Sequence, residues 1–300
     1  GNLKYISIFS FIIGILVISQ KVSGQNLKII TEDTKLVKLA DHFDFTEGPA
    51  VDGHGNVYFT DQPNDQILKW SVGGELEVFL TPSGRSNGLY FDTKDNLYAC
   101  ADELGQLWKI DANKNIQVLL KDFQGKRFNG PNDLWIDPKG GIYFTDPFYQ
   151  RSYWEHTSPY LSSESVYYLS PKGTIKIVAT GLDQPNGIIG TPDGSLLYVA
   201  DIGRQVTYSY QIEANGDLTN QELFVAMGSD GMTIDEQGNV YLTGDGVSVF
   251  DSTAKKIEHI KIDEPWTANV TFGGQDRDIL FITASRAIYT IKMKVKGVER

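Results

Sequence analysis

Apolar and polar residues alternate along most of this chain in short runs of about five residues, the period of a β-strand with one buried face. Val57-Tyr-Phe-Thr-Asp61, Leu97-Tyr-Ala-Cys-Ala101 and Ile142-Tyr-Phe-Thr-Asp146 are examples. Aromatic and β-branched residues fill these runs, and Gly, Asn and Asp separate them. No window longer than about ten residues carries the 3.6-residue period of an amphipathic helix. The pattern predicts an all-β chain with many short strands.

The strands are phased. A polar lead residue, usually followed by Gly, opens an apolar strand that ends near Asp. A Gly or Asn turn follows, then a strand carrying Tyr or Phe. The lead residues are Glu47, Asn87, Asn132, Asn186, Asp230 and Asn269, spaced by 40, 45, 54, 44 and 39 residues. Each period has room for a third and a fourth strand, as in Leu68-Lys-Trp70 followed by Leu76-Glu-Val-Phe79. Four strands per period of roughly 40–45 residues is the signature of a propeller blade. Six periods predict a six-bladed β-propeller over residues 25–300. The alternative, a β-sandwich, does not explain a phased repeat of this length. The apolar stretch from Leu27 to Leu39 is expected to supply the outer strand that closes the ring.

In a propeller the innermost strands line a central channel, so the six lead residues converge on one mouth. Two are carboxylates and four are carboxamides. An all-oxygen ring of this kind suits a hard divalent cation, Ca²⁺ first, with Mg²⁺ less suited to so many irregular protein ligands. Imidazole and thiolate metals find no ligand there. The bland alternative is that Asn-Gly and Asp-Gly are turn formers. The acids Asp52, Asp92, Asp137 and Asp235, and the strand-ending Asp61, Asp102, Asp146 and Asp201, read as caps of turns rather than catalytic groups.

The longest period contains Phe148-Tyr-Gln-Arg-Ser-Tyr-Trp-Glu-His-Thr-Ser-Pro-Tyr160. A long aromatic loop in a tight repeat is usually functional. Tyr149, Arg151, Tyr153 and Trp154 are therefore candidates to cover a substrate ring, with packing against a neighbouring blade as the alternative.

The 300 residues carry 38 acidic and 27 Lys and Arg side chains, for a net charge of −11. That balance disfavours nucleic acid and anionic membranes as partners. At the N-terminus, Lys4 precedes an uncharged apolar run from Tyr5 to Ile18, followed by Lys21 and the small residues Val22-Ser-Gly24. This is the layout of a secretory signal peptide over residues 1–24, so the mature chain is expected to be secreted or periplasmic, with no stable membrane association. A lone Cys100 excludes an intramolecular disulfide and reads as a buried small hydrophobe.

At the phrases Glu47-Gly-Pro49, Asn132-Asp133, Pro185-Asn-Gly187, Ser229-Asp-Gly-Met232 and Asn269-Val-Thr-Phe-Gly-Gly274, the chain resembles the gluconolactonase/regucalcin family of six-bladed propeller lactonases. The phrases are spread over the blades in order. The resemblance implies a catalytic divalent cation at the channel mouth, usually Ca²⁺, with Zn²⁺, Mn²⁺ and Mg²⁺ as other possibilities. It implies Glu47, Asn132, Asn186 and Asp230 as its ligands, and Asp230 as general base or nucleophile. Asn87, Asn132, Asp133, Asn269, Tyr149, Arg151 and Trp154 are the corresponding substrate-contact candidates. The implied reaction is hydrolysis of a small sugar-derived lactone such as gluconolactone. A phosphotriester or fluorophosphate hydrolase using the same site, and a non-catalytic binding module, are the alternatives. The oligomeric state is left open.

Overall fold

The computed structural model describes residues 28–299. The expected signal peptide lies outside them. Twenty-four strands form six four-stranded antiparallel sheets. Strand β1 (Val37–Ala40) comes first. Blade one holds β2 (Thr46–Val51), β3 (Val57–Asp61), β4 (Gln66–Trp70) and β5 (Leu76–Leu80). Blade two holds β6 (Ser86–Phe91), β7 (Leu97–Ala101), β8 (Gln106–Ile110) and β9 (Ile116–Leu120). Blade three holds β10 (Leu134–Ile136), β11 (Ile142–Asp146), β12 (Glu164–Leu169) and β13 (Ile175–Leu182). Blade four holds β14 (Pro185–Gly190), β15 (Leu196–Asp201), β16 (Val206–Ile212) and β17 (Leu218–Val225). Blade five holds β18 (Met232–Ile234), β19 (Val240–Gly244), β20 (Gly246–Phe250) and β21 (Lys256–Ile260). Blade six holds β22 (Thr267–Gly273), β23 (Ile279–Ala284) and β24 (Ala287–Lys292), and takes β1 as its fourth strand. The chain is thus a six-bladed β-propeller. A 3₁₀ turn at Gln62–Asn64 is the sole helical element among the described residues. No helix among them is long and apolar enough to cross a membrane.

Burial falls from the axis outward. In blade one every residue of β2 and β3 is buried, whereas β5 is half-buried to exposed. This gradient is why the inner strands read as near-continuous apolar runs and the outer ones as mixed.

The ring closes by pairing Val37 with Thr290, Lys38 with Tyr289 and Ala40 with Ile288. Phe43, Phe59 and Phe281 pack edge-to-face and tilted across the seam between blades six and one. All three are fully buried. Burying a Phe side chain stabilises by about 1.5–3 kcal/mol, so this cluster holds the closure without a disulfide. Cys100, on β7, is fully buried, and burial pushes its thiol well above the ordinary range. That environment suits an inert core residue.

Candidate active site

Local irregularity aims the lead residues. The inner strands shift register across Glu47, Asn87 and Asn186, where β2, β6 and β14 bulge against their neighbours. A bulge re-aims a side chain out of the sheet's regular alternation. In blades three and five the strand itself starts late, so Asn132 and Asp230 precede β10 and β18.

The glycine after the lead residue is not a turn former here. A Cβ on Gly48 would collide with the backbone of Asn87, and one on Gly88 with the backbone of Asn132. A Cβ on Gly231 would strike the carboxamide of Asn269. Absence of a side chain lets successive inner strands meet at the mouth. The contacts are then fixed by hydrogen bonds between blades. Thr60 Oγ1 donates to the Asn87 carbonyl (2.9 Å) and Thr145 Oγ1 to the Asn186 carbonyl (2.8 Å). The Gly88 N–H donates to the Asn132 carbonyl at 2.8 Å.

The side chains so placed form one buried polar cluster. Asn269 Nδ2 donates to Glu47 Oε2 (3.0 Å) and Asp133 Oδ2 (3.1 Å), while its Oδ1 accepts the Val270 N–H at 2.8 Å. Glu47 Oε2 also accepts the N–H of Gly48. The carboxyls of Glu47 and Asp230 come within hydrogen-bonding range of each other. Burial, then Asp230 and Asp133, push the Glu47 carboxyl well above the carboxylate range. Burial pushes Asp133 up to about 7, against the pull of its bonds to Asn269 and the Leu134 N–H. Asp230 is raised by burial and held down by Glu47, Trp266, Arg151 and Asn186. Three acids crowded out of water favour protonation when no cation balances them.

Two atoms here are orphaned. The carboxamide oxygens of Asn87 and Asn186 are buried without a hydrogen-bond partner. Asn186 Nδ2 donates to the Tyr149 hydroxyl at 2.8 Å. Unpaired amide oxygens beside facing carboxylates are hard ligands. The donor set therefore fits a divalent cation such as Ca²⁺, which would satisfy the oxygens and neutralise the acids.

The long loop after β11 divides into parts. Tyr149 reaches the cluster through Asn186. Arg151 Nε binds Asp102 Oδ2 at 2.9 Å, and its guanidinium lies 5.4 Å from the Tyr149 ring centre. Tyr153 donates to the same Asp102 oxygen at 2.6 Å. Trp154 is taken up by packing. It is buried, donates Nε1 to the Asp102 carbonyl (3.2 Å) and stacks on His156 at 4.7 Å. Asp102 thereby departs from its expected role. Asp146 and Asp201 accept two backbone N–H groups from the segment entering their own blade. Asp102 instead anchors the loop of the next blade by its side chains. Asp65 takes the Arg85 N–H that Asp102 leaves, together with the N–H of Ser83.

The sequence reading missed Trp266. Its indole N–H donates to Asp230 Oδ2 at 2.7 Å. The signal was available: Trp266 stands three residues before lead Asn269, where the other periods have Asp44, Gly84, Asn129, Asp183 and Met227.

Below the cluster the channel narrows to a void of about 20 Å³ among Asp133, Asn269, Ile188 and Met232. It reopens at the far mouth as an apolar cavity of about 360 Å³ lined by Tyr90, Trp135, Ile189 and Phe272 and bordered by Gly297–Glu299.

The structure is thus a six-bladed propeller with an acid–amide cluster at one channel mouth. The chain belongs to the family described as SMP-30/Gluconolactonase/LRE-like region, which matches residues 45–286. It is 27% identical over 299 aligned residues to a gluconolactonase of Zymomonas mobilis, covering 90% of this chain and 84% of the relative. It is 26% identical to diisopropyl-fluorophosphatase of Loligo vulgaris, covering 70% and 75%. Among solved structures, a gluconolactonase of Xanthomonas campestris superposes with a TM-score of 0.83 at 29% identity, covering 90% of this chain and 92% of that one. Family and relatives support a lactone hydrolase acting on a small molecule.

Proposed function

We propose that the protein is a secreted or periplasmic, metal-dependent hydrolase of sugar-derived lactones such as gluconolactone. The observation that carries this reading is the mouth cluster: Glu47 and Asp230 facing each other beside the orphaned oxygen of Asn186. Glu47, Asn186 and Asp230 are the residues that would hold a divalent cation, Ca²⁺ by ligand chemistry, with Asn132 as a fourth. Bound there, the cation would supply Lewis acidity to the lactone carbonyl and stabilise developing oxyanion charge.

The remaining work falls to the chain's own groups. Asp230 takes a proton from the attacking water, whose oxygen bonds to the carbonyl carbon. The ring C–O bond then breaks, and the leaving oxygen takes that proton back, giving the open hydroxy acid. Asn87 and Asn132 are the groups that would bind substrate oxygens, while Asn269, whose two amide hydrogens go to Glu47 and Asp133, holds those carboxyls in place. Tyr149 and Arg151 border the same mouth from the loop.

The test is hydrolysis of gluconolactone by protein stripped with a chelator, then resupplied with Ca²⁺. The expected result is loss of activity on stripping and recovery on resupply. Full activity in the stripped protein would overturn the metal-dependent mechanism.

A further inference from the structure

We infer that Trp266 is a positioning residue for Asp230 and the stacking wall of the substrate subsite, an inference that rests on the lactonase reading of this mouth. Two features of the same side chain carry it. Its indole Nε1–H donates to Asp230 Oδ2 at 2.7 Å, while Asp230 also lies against Glu47 and Asn186. The residue is 37% exposed, and it is the one exposed tryptophan among the described residues. An exposed indole with its N–H on a half-buried acid of the mouth cluster is neither core nor ordinary surface.

The local structure holds it there. The Trp266 N–H donates to Ser285 Oγ (3.1 Å), and Ser285 Oγ–H donates back to the Trp266 carbonyl (3.0 Å). This clamp ties the residue to the turn between β23 and β24, independently of its side chain. Gly244 lies beside the edge of the indole.

The chemistry follows from the two ends of the side chain. The N–H engages one oxygen of Asp230 and so fixes the rotation of the carboxyl about its Cβ–Cγ bond. The other oxygen is then presented in one orientation to the cluster. The exposed indole face offers a flat apolar wall beside that acid. A lactone ring carries an apolar C–H face and a polar rim, so it can lie flat on the indole while its carbonyl carbon faces Asp230. A five- or six-membered polyhydroxylated lactone is the substrate class this arrangement takes. Tyr149 and Arg151 supply hydrogen-bonding groups to its rim.

Steady-state kinetics on gluconolactone with Trp266→Phe and Trp266→Leu separate the two roles. Trp266→Phe keeps a flat ring and loses the N–H. It is expected to lower kcat about ten-fold and to leave KM within about two-fold, the usual cost of losing a hydrogen bond to a site carboxylate. Trp266→Leu is expected to lose as much kcat and to raise KM a further five-fold or so. Quenching of tryptophan fluorescence by the matching lactam, which is not hydrolysed, is expected in the parent protein and absent from Trp266→Phe. The quench reads contact with the indole even if a variant is less stable. Unchanged kcat in Trp266→Phe overturns the positioning role, and equal KM in the two variants with no lost quench overturns the stacking role. If the parent protein hydrolyses no lactone, the functional reading fails instead.

Discussion

Two sets of acids sit at opposite ends of the same inner strands, and they differ in whether their oxygens are satisfied. At the far end Asp52, Asp92, Asp137 and Asp235 cap the turns that follow the strands. Asp235 is typical: it accepts the N–H groups of Gln237 (2.9 Å) and Asn239 (3.0 Å), the Asn239 amide (2.8 Å) and the Tyr241 hydroxyl (2.8 Å). Asp52 and Asp92 repeat the same net with Asn56 and Asn96. At the mouth, Glu47 faces another carboxyl, and the amides of Asn87 and Asn186 keep unpaired oxygens. Both sets recur with the repeat, and both are largely buried. The far set has its donors inside the turn; the mouth set is short of positive partners. Unsatisfied buried polarity, rather than recurrence, marks the functional end.

The comparison breaks most sharply at Asp235. Asp235→Ala leaves four donors in a buried turn without their acceptor and is expected to cost about 3 kcal/mol of stability. Activity at room temperature should be unchanged. Denaturant unfolding alongside a lactonase assay reads both, and a variant that lost activity while keeping its stability would reverse the assignment of the two ends.

A smaller effect is expected at Tyr149, which holds Asn186 Nδ2 and so leaves Oδ1 available as a ligand. Asn269 shows the opposite arrangement, with its NH₂ on two acids and its oxygen on a backbone N–H. Tyr149→Phe is expected to weaken Ca²⁺ binding about ten-fold, close to 1.4 kcal/mol, as measured by calorimetry. Equal affinity would mean that Tyr149 serves the substrate alone.

Much of this was legible in the alternation of the chain. The phase of the repeats carries the blade count, and the lead positions carry the mouth, because every blade places the equivalent residue at the same height on the axis. Ring closure by the segment before blade one was readable for the same reason: β1 falls at its end. What the repeat hid were the departures from it. Gly48, Gly88 and Gly231 look like turn residues in sequence but are points where neighbouring strands touch. Asp102 looks like its counterparts Asp146 and Asp201, yet it binds a loop inserted nearly fifty residues later. Trp154, the loop tryptophan, is packed, and Trp266, which no repeat phrase marks, stands at the acid. Each depends on contacts between blades, which strand periodicity does not encode.

The most direct test of the central claim is thermal unfolding of the stripped protein and of Glu47→Gln, each with and without Ca²⁺. Ca²⁺ is expected to raise the Tm of the parent protein, because a ligand that binds only the folded state stabilises it. Stripped Glu47→Gln should melt higher than the stripped parent, having lost one of two facing buried acids, and should gain little from Ca²⁺. Equal gains from Ca²⁺ in the two proteins, or none in the parent, would contradict that claim.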